Sequence, residues 1–319
     1  MRIASRGSPL ALWQARTVAR RIEQTGGPAC EILVVRTSGD EPSGPPDPPN
    51  IAPVMLAGGS SPNVKRMFVK EIEEALLEGR ADLAVHSCKD LPAALPDGLI
   101  IAAALEREDP RDALVLASPE KYDHPGAIRA ALGHAPRIGT SSVRRTAQLR
   151  TIFPDATFDA IRGNVDTRLR KLDEGACDAL VLAAAGLERL ELARRVSTYL
   201  PIEMCVPAPG QGIVAVEISS KSESHIKAAA SAISDPDAET ALLAERAVVQ
   251  ALGASCQMPL GAIALLEGQE LTVIGLVASL DGRRVVRATV HGNRGGAARV
   301  GEKLARMLLE KGAGEILAG

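Results

Sequence analysis

Residues 137–171 read RIGTSSVRRTAQLRTIFPDATFDAIRGNVDTRLRK and alternate between strand and helix patterns. Thr140–Ser142 offer hydroxyl caps to the helix that follows, and Asn164 precedes a second helix with apolar residues at i, i+4 and i+7. Each helix start leaves unpaired N–H groups and the positive end of the helix dipole, which favour a carboxylate or a phosphate. This stretch therefore predicts two anion-binding helix starts in an α/β fold.

The same stretch is strongly basic, with eight Arg or Lys against three Asp in a chain of formal net charge −2. Arg144, Arg145, Arg162 and Arg168 lie within a turn of the two helix starts, where their planar guanidinium groups can bind carboxylates. A solvated basic face is one interpretation. Two basic groups, each on a capped helix, favour the other, which is a site for a small polyanion.

Composition limits the classes of function. The 319 residues allow two or three domains, and the near-neutral charge argues against a general nucleic-acid binder. No 18-residue apolar run or signal-peptide pattern occurs, so we expect a cytoplasmic protein with no membrane partner. The five cysteines are widely spaced, and they form neither a disulfide framework nor a metal motif. We expect no metal.

Strand patterns near 99–103, 113–117, 136–139, 157–161, 179–183 and 213–217 alternate with helical patterns. This alternation predicts α/β architecture with mainly parallel sheets, in which ligands bind beyond the carboxyl ends of the strands. Polar groups follow five predicted strands, at Arg6, Asp40, Lys89-Asp90, Thr140–Ser142 and Arg162. Residues 41–64 are rich in Pro, Gly and Ser and predict a lid or a disordered loop. After about residue 235 the pattern predicts a small α+β domain on an antiparallel sheet.

The chain resembles the hydroxymethylbilane synthase family, also called porphobilinogen deaminase, over essentially its full length. Eight motifs carry the resemblance in the right order: RIASRGSPLALWQA (2–15), RADLAVHSCKDLP (80–92), EREDPRDA (106–113), GTSSVRR (139–145), RGNVDTRL (162–169), LAAAGLERL (182–190), PAPGQGIVAVE (207–217) and CQMPLG (256–261).

The resemblance implies two lobes like those of a periplasmic binding protein and a third domain that carries a cofactor cysteine. Domain 1 would take residues 1–105 with a returning segment at 207–230, domain 2 would take 106–206, and domain 3 would take 231–319. We also expect a monomer.

The family joins four porphobilinogen molecules head to tail, releases ammonia each time, and yields hydroxymethylbilane for tetrapyrrole (haem and porphyrin) biosynthesis. The product grows on a dipyrromethane primer held through a thioether, and the resemblance assigns that attachment to Cys256. It assigns catalysis to Asp90. Primer contacts are assigned to Lys89, Ser141, Ser142, Arg144, Arg145 and Arg168, and substrate contacts to Arg6, Ser8, Gln14, Arg162 and Arg189.

These residue types suit the chemistry. Each pyrrole carries an acetate and a propionate, so arginines at helix starts fit the growing polyanion. A positive charge develops on the pyrrole when ammonia leaves, and a carboxylate such as that of Asp90 would stabilise it. Without the motif, a turn cap is the favoured interpretation of Asp90.

The chain also departs from the family pattern. Ala254-Ser255 stand where the family has paired glycines, NVKRMF (63–68) replaces a glycine-rich lid end, and Cys88 replaces a methionine. The rival interpretation is a two-lobed anion-binding protein that lacks catalysis. Only the enzyme needs a primer on Cys256.

Overall fold

The fold is described by a computed structural model that covers residues 1–36, 69–253 and 258–318. Several positions with a prediction lie outside these described residues: Asp40, the loop 41–64, NVKRMF (63–68), Ala254-Ser255 and Cys256.

The strands are β1 (Arg2–Ser5), β2 (Glu31–Val34), β3 (Leu83–Ser87), β4 (Leu99–Ala104), β5 (Asp112–Leu116), β6 (Arg137–Gly139), β7 (Thr157–Asp159), β8 (Ala179–Ala183), β9 (Thr198–Leu200), β10 (Val214–Ser219), β11 (Leu260–Glu267), β12 (Glu270–Ala278) and β13 (Val285–Asn293). The helices are α1 (Pro9–Gln24), α2 (Lys70–Leu77), α3 (Pro125–Leu132), α4 (Val143–Leu149), α5 (Val165–Asp173), α6 (Ala184–Arg189), α7 (Ser224–Ser231), α8 (Pro236–Ala251), α9 (Ala297–Glu310) and α10 (Ala313–Ala318).

The first sheet has the order β2-β1-β3-β10-β4. Strand β1 pairs in parallel with β2 and β3, whereas β10 pairs antiparallel with β3 and β4. Strand β10 comes from more than a hundred residues further along the chain than β4, so the chain leaves this sheet and returns to its interior. Helix α1 covers one face and buries Ala15, Val18 and Ile22.

The second sheet, β7-β6-β8-β5-β9, repeats this plan. Strand β6 pairs in parallel with β7 and β8, whereas β5 pairs antiparallel with β8 and β9. The α/β class with two similar lobes is therefore confirmed. The expectation of mainly parallel sheets needs correction, because half of the pairings in each lobe are antiparallel and the sheets are mixed.

The third sheet is an antiparallel meander, β11-β12-β13, as the pattern after residue 235 predicts. Helices α8 and α9 cover it around a core that includes Val248, Val273 and Leu304. Its outer face packs on the second lobe, where Ile263 and Leu276 join a buried cluster with Ala147 of α4. The small sheet therefore supports α4 from behind.

Helix α8 packs against the first lobe as well, through Ala238 and Leu242 beside Cys88 and Leu91. The domain boundaries at 105, 206 and 230 remain a prediction. The strands of the three sheets fall within the predicted ranges of domains 1, 2 and 3, respectively.

Gly212 lies in the connection between the lobes, and we expect its substitution to destabilise the protein. Its φ is +88°, and a Cβ there would lie 2.3 Å from the carbonyl oxygen of Glu108. We expect Gly212→Ala to lower the free energy of unfolding by about 2–4 kcal/mol, since it adds both left-handed strain and a backbone clash. Urea unfolding followed by circular dichroism would measure the change.

Gly268→Ala is the matched control, because Gly268 has φ +61° but no atom near the position of a Cβ. It should cost about 1–2 kcal/mol from backbone strain alone. Equal losses in the two variants would contradict the close approach at Gly212.

Candidate active site

A cleft lies between the facing edges of the first and second sheets. Strands β1 and β3 run in parallel, so the residues that follow them, Arg6 and Lys89-Asp90, emerge at the same edge. The cleft holds about 1220 Å³ of space up to its open mouth.

Eight of the predicted site residues line this one cleft, and both lobes contribute to it. They are Arg6, Ser8, Gln14, Lys89, Asp90, Arg145, Arg168 and Arg189. Four others, Ser141, Ser142, Arg144 and Arg162, are not among its lining residues.

Asp90 ends a short 3₁₀ turn, Cys88–Asp90, that directly continues β3. A hydrogen bond to the returning chain fixes this turn: the Cys88 backbone N–H donates to the carbonyl of Ile213 (3.0 Å). Gly210 packs on the same turn with φ +74°, and a Cβ there would lie 2.7 Å from the Cys88 Sγ. Asp90 is thus presented to the cleft on a closely packed support.

Arg168 faces Asp90 from the other lobe. It lies on α5, and its Nε donates to the carbonyl of Gly163 (2.7 Å). Burial and the neighbouring charge of Arg145 lower the pKa of Arg168 to about 10, and the Asp90 carboxylate opposes that shift. The guanidinium therefore stays protonated at neutral pH, and it interacts electrostatically with the predicted catalytic carboxylate across the cleft.

Arg189 occupies the wall near α1. Only 8% of its surface is exposed, its Nη2 donates to the carbonyl of Gly212 (2.6 Å), and its guanidinium lies 5.7 Å from the centre of the Trp13 ring. Burial lowers its pKa to about 10 as well. Gln14 is also buried and exchanges hydrogen bonds with Ser87, so both residues have internal partners in addition to their place in the cleft wall.

The predicted helix starts differ in detail. Ser142 is the N-cap of α4 and accepts from the Arg145 backbone N–H, whereas Ser141 donates to the carbonyl of Ile161 (2.8 Å). Asn164 occupies the N-cap of α5 without a side-chain hydrogen bond. Arg162 is exposed beside this helix start.

Sequence reasoning missed the most connected acid of the site, Asp112 at the start of β5. Its Oδ2 accepts from Arg144 Nη1 (2.7 Å), and its Oδ1 accepts from Arg145 Nε and Nη2 (3.0 and 2.8 Å). Gln211 adds a hydrogen bond to the same Oδ1 (2.9 Å). Burial disfavours the Asp112 carboxylate, but the two guanidinium groups outweigh burial and hold its pKa well below the usual range.

Arg144 and Arg145 therefore do bind a carboxylate as a pair, but it belongs to the protein. Arg144 also donates to the Val206 carbonyl (2.8 Å) and points into the interior, so its contact with the primer remains a prediction. The signal for Asp112 was present in the sequence, as the last of the four acids in EREDPRDA (106–113), directly before the apolar run ALVL (113–116).

Gln211 extends this network to the first lobe. Its Oε1 accepts from Lys89 Nζ (3.3 Å), while its Nε2 donates to Asp112 and to the Pro110 carbonyl (2.6 Å). Lys89 and Arg145, which line the cleft from opposite lobes, are thus connected through two buried side chains.

Within residues 1–36, 69–253 and 258–318, no group of three or more His, Cys, Asp or Glu could hold a metal ion. No helix in the same ranges is long and apolar enough to cross a membrane.

The fold and the cleft define a two-lobed α/β protein whose cleft is predominantly basic, with five Arg or Lys against two Asp among the described residues that line it. Residues 1–227 match the family model described as the dipyromethane cofactor binding domain of porphobilinogen deaminase, and residues 240–310 match that of its C-terminal domain. The chain belongs to the porphobilinogen deaminase family, which confirms the resemblance.

Two relatives named porphobilinogen deaminase show the extent of the match. The protein from Chromobacterium violaceum is 43% identical over 317 residues, which are 99% of this chain and 96% of that protein. The protein from Syntrophotalea carbinolica is 44% identical over 321 residues, which are 100% of this chain and 95% of that protein. Among solved structures, a periplasmic substrate-binding protein from Coxiella burnetii aligns with a TM-score of 0.42 at 12% identity, covering 75% of this chain and 94% of that one.

The buried network predicts a large effect of Asp112→Asn. The variant leaves two buried guanidinium groups without a counter-charge, so the free energy of unfolding should fall by about 3–5 kcal/mol at pH 7. The folded-state pKa of Asp112 is depressed, so this stabilisation is complete above the unfolded pKa of about 3.9 and is lost as pH falls towards the folded value. Urea unfolding at several pH values should show a constant gap between the proteins above about pH 5 and a shrinking gap below about pH 4.

Asp123→Asn removes an exposed carboxylate of the second lobe and is the control. It should stay within about 0.5 kcal/mol of the wild type. An Asp112→Asn variant that unfolds like this control at pH 7 would show that the ion pairs do not hold α4 in place.

Proposed function

We propose that this protein joins four porphobilinogen molecules head to tail, with release of ammonia, to form hydroxymethylbilane for tetrapyrrole biosynthesis. The observation that carries the proposal is the cleft, in which Arg145, Arg168, Arg189 and Lys89 surround the approach to Asp90. Membership of the porphobilinogen deaminase family supports it. Such a cleft suits a substrate that brings two carboxylates with every unit added.

The residues present fit the family's dipyrromethane cofactor, which carries carboxylates on its two pyrroles. Lys89, Arg145 and Arg168 are the side chains that we assign to those carboxylates, since all three line the cleft. When bound, the dipyrromethane supplies the pyrrole carbon to which the first substrate is joined. Its attachment at Cys256 is proposed from the sequence motif, since that residue lies outside the described part of the chain.

Asp90 is proposed as the catalytic carboxylate. Loss of ammonia from porphobilinogen moves a positive charge onto the substrate pyrrole, and a fixed carboxylate in a partly dehydrated cleft stabilises that charge without reorganising. The supporting 3₁₀ turn and the close packing of Gly210 fix where the carboxylate stands. Arg168, which faces Asp90 from the other lobe, supplies a cation for the substrate acids.

Arg6, Ser8, Gln14 and Arg189 are proposed to hold the incoming substrate, on the support that they line one wall region of the cleft. Ser141, Ser142, Arg144 and Arg162 would complete the primer and substrate contacts as the family motifs assign them. We propose further that the protein is a cytoplasmic monomer. We also propose that it has no nucleic-acid partner, which the formal net charge of −2 supports.

Intact mass under denaturing conditions tests the proposal. Protein made in a tetrapyrrole-producing host should be heavier than its sequence by two linked pyrrole units, and Cys256→Ala should remove the extra mass together with activity. Cys88 is a poor competitor, because it is buried and burial raises the pKa of its thiol to about 12.

A wild-type mass equal to that of the bare polypeptide would favour the rival, a two-lobed anion-binding protein without catalysis. Peptide mapping of the adduct to Cys88 instead of Cys256 would refute the assignment of the attachment site.

Asp90→Asn tests the catalytic assignment. Asparagine keeps the volume but removes the charge that faces the cationic substrate, so kcat should fall on the order of 10²–10³-fold, or roughly 3–4 kcal/mol in barrier height. Substrate binding should change little, because the ground-state pyrrole is neutral. Turnover of porphobilinogen by folded, primer-loaded protein is the measurement.

Asp90→Glu should retain part of the activity, since it keeps the charge but displaces it by one methylene. Turnover by Asp90→Asn within threefold of the wild type would mean that another group is the catalytic carboxylate.

A further inference from the structure

The cleft contains a second carboxylate to which no role has been assigned, that of Asp166. Among the described residues that line the cleft, Asp90 and Asp166 are the two acids, against five Arg or Lys. Asp166 lies in the first turn of α5 and is exposed, two residues before Arg168. A carboxylate in a cleft for polyanions repels each acid that binds there. A stabilising partner or a function should therefore explain why Asp166 lies in this cleft.

Contacts within the described part of the protein do not explain the position of Asp166. In the part of the chain that the structure describes, the Asp166 carboxylate makes no hydrogen bond or ion pair, unlike Asp112, which is fully paired. The charges that act on nearby Arg168 are those of Arg145 and Asp90. Asp166 thus faces the cleft as a separate negative charge, and it is available to a cation.

Porphobilinogen brings such a cation. Besides its acetate and propionate it carries an aminomethyl group, a primary amine that is protonated near neutral pH like the side chain of lysine. The growing product has lost this group from every unit already joined. A carboxylate at the cleft wall therefore attracts the ammonium group of the incoming monomer, whereas the joined units of the product carry carboxylates and no ammonium for it to attract.

We propose that Asp166 recognises the aminomethyl ammonium of the incoming porphobilinogen. This inference rests on the proposed function and adds a specificity residue to it. The carboxylate holds the ammonium by charge-assisted hydrogen bonds and accepts no proton. When the C–N bond breaks, the electron pair leaves with nitrogen, ammonia departs with its three hydrogens, and the positive charge passes to the pyrrole. Neutral ammonia is then no longer attracted to Asp166.

A simpler role for Asp166 is favourable interaction with the dipole of α5, as for any acid in a first helical turn. The two roles differ in what they affect. The dipole acts on stability, whereas ammonium recognition acts on the apparent KM of substrates that carry an amine.

The experiment compares primer-loaded wild type and Asp166→Asn on two substrates: porphobilinogen and its analogue with a hydroxymethyl group in place of the aminomethyl group. For porphobilinogen, KM should rise about tenfold in the variant, the factor for a charge-assisted hydrogen bond at the weak end of its range. The effect on kcat should be smaller. For the neutral analogue, KM should stay the same or fall, because a repulsive carboxylate has been removed.

Asp166→Glu should restore KM for porphobilinogen to within about threefold, since the longer side chain keeps the charge. Asp123→Asn, which makes the same change of charge outside the cleft, should leave both KM values unchanged. Circular dichroism and denatured mass would confirm that every variant is folded and loaded.

An unchanged KM for porphobilinogen in Asp166→Asn, or an equal rise for both substrates, would overturn the inference. These outcomes are distinguishable from failure of the proposed function, in which the wild type itself would not turn over porphobilinogen.

Discussion

The buried carboxylate of Asp112 is the interaction on which the cleft depends. Removing this charge and two guanidinium groups from water costs several kcal/mol for each ion, and only close geometry with full hydrogen bonding offsets that cost. Both oxygens of Asp112 are satisfied, by Arg144 on one side and by Arg145 and Gln211 on the other. Two cations around one anion leave a net positive charge, and Arg145 is the member of the cluster that lines the cleft. The network thus fixes a cation at the ligand site.

The same network joins parts of the chain that are distant in sequence. Gln148 of α4 exchanges hydrogen bonds with the backbone of Val206 (3.1 and 2.7 Å), just before the chain returns to the first lobe. Val206 also lies in the apolar cluster that the third sheet shares with α4. The helix that carries Arg144 and Arg145 is therefore held by its own lobe, by the returning chain and by the third sheet. Rigid support of this kind keeps site residues in a productive geometry.

The sequence predicted those features of the fold that depend on residues close together in the chain. The strands β4, β5, β6, β7, β8 and β10 were predicted to within a few residues, and the hydroxyl cap at Ser142 is confirmed, because periodicity and capping are properties of neighbouring residues. The mixed sheets were missed, because strand direction depends on where the chain returns. Arg144 and Arg145 look equivalent in sequence, and their shared partner Asp112 lies about thirty residues away, so the sequence did not show that Arg145 lines the cleft whereas Arg144 does not.

The arginines in and beside the cleft differ in how they are held, and the difference bears on ligand binding. Arg144 has the Asp112 carboxylate as its partner, which outweighs burial and raises its pKa. Arg168 and Arg189 are instead oriented by the backbone carbonyls of Gly163 and Gly212, which fix direction without cancelling charge. Their pKa values fall to about 10, because burial penalises a cation that no carboxylate fully compensates. A ligand carboxylate that arrives beside either residue supplies that missing compensation, so the cost of burying these cations is recovered when an acid binds.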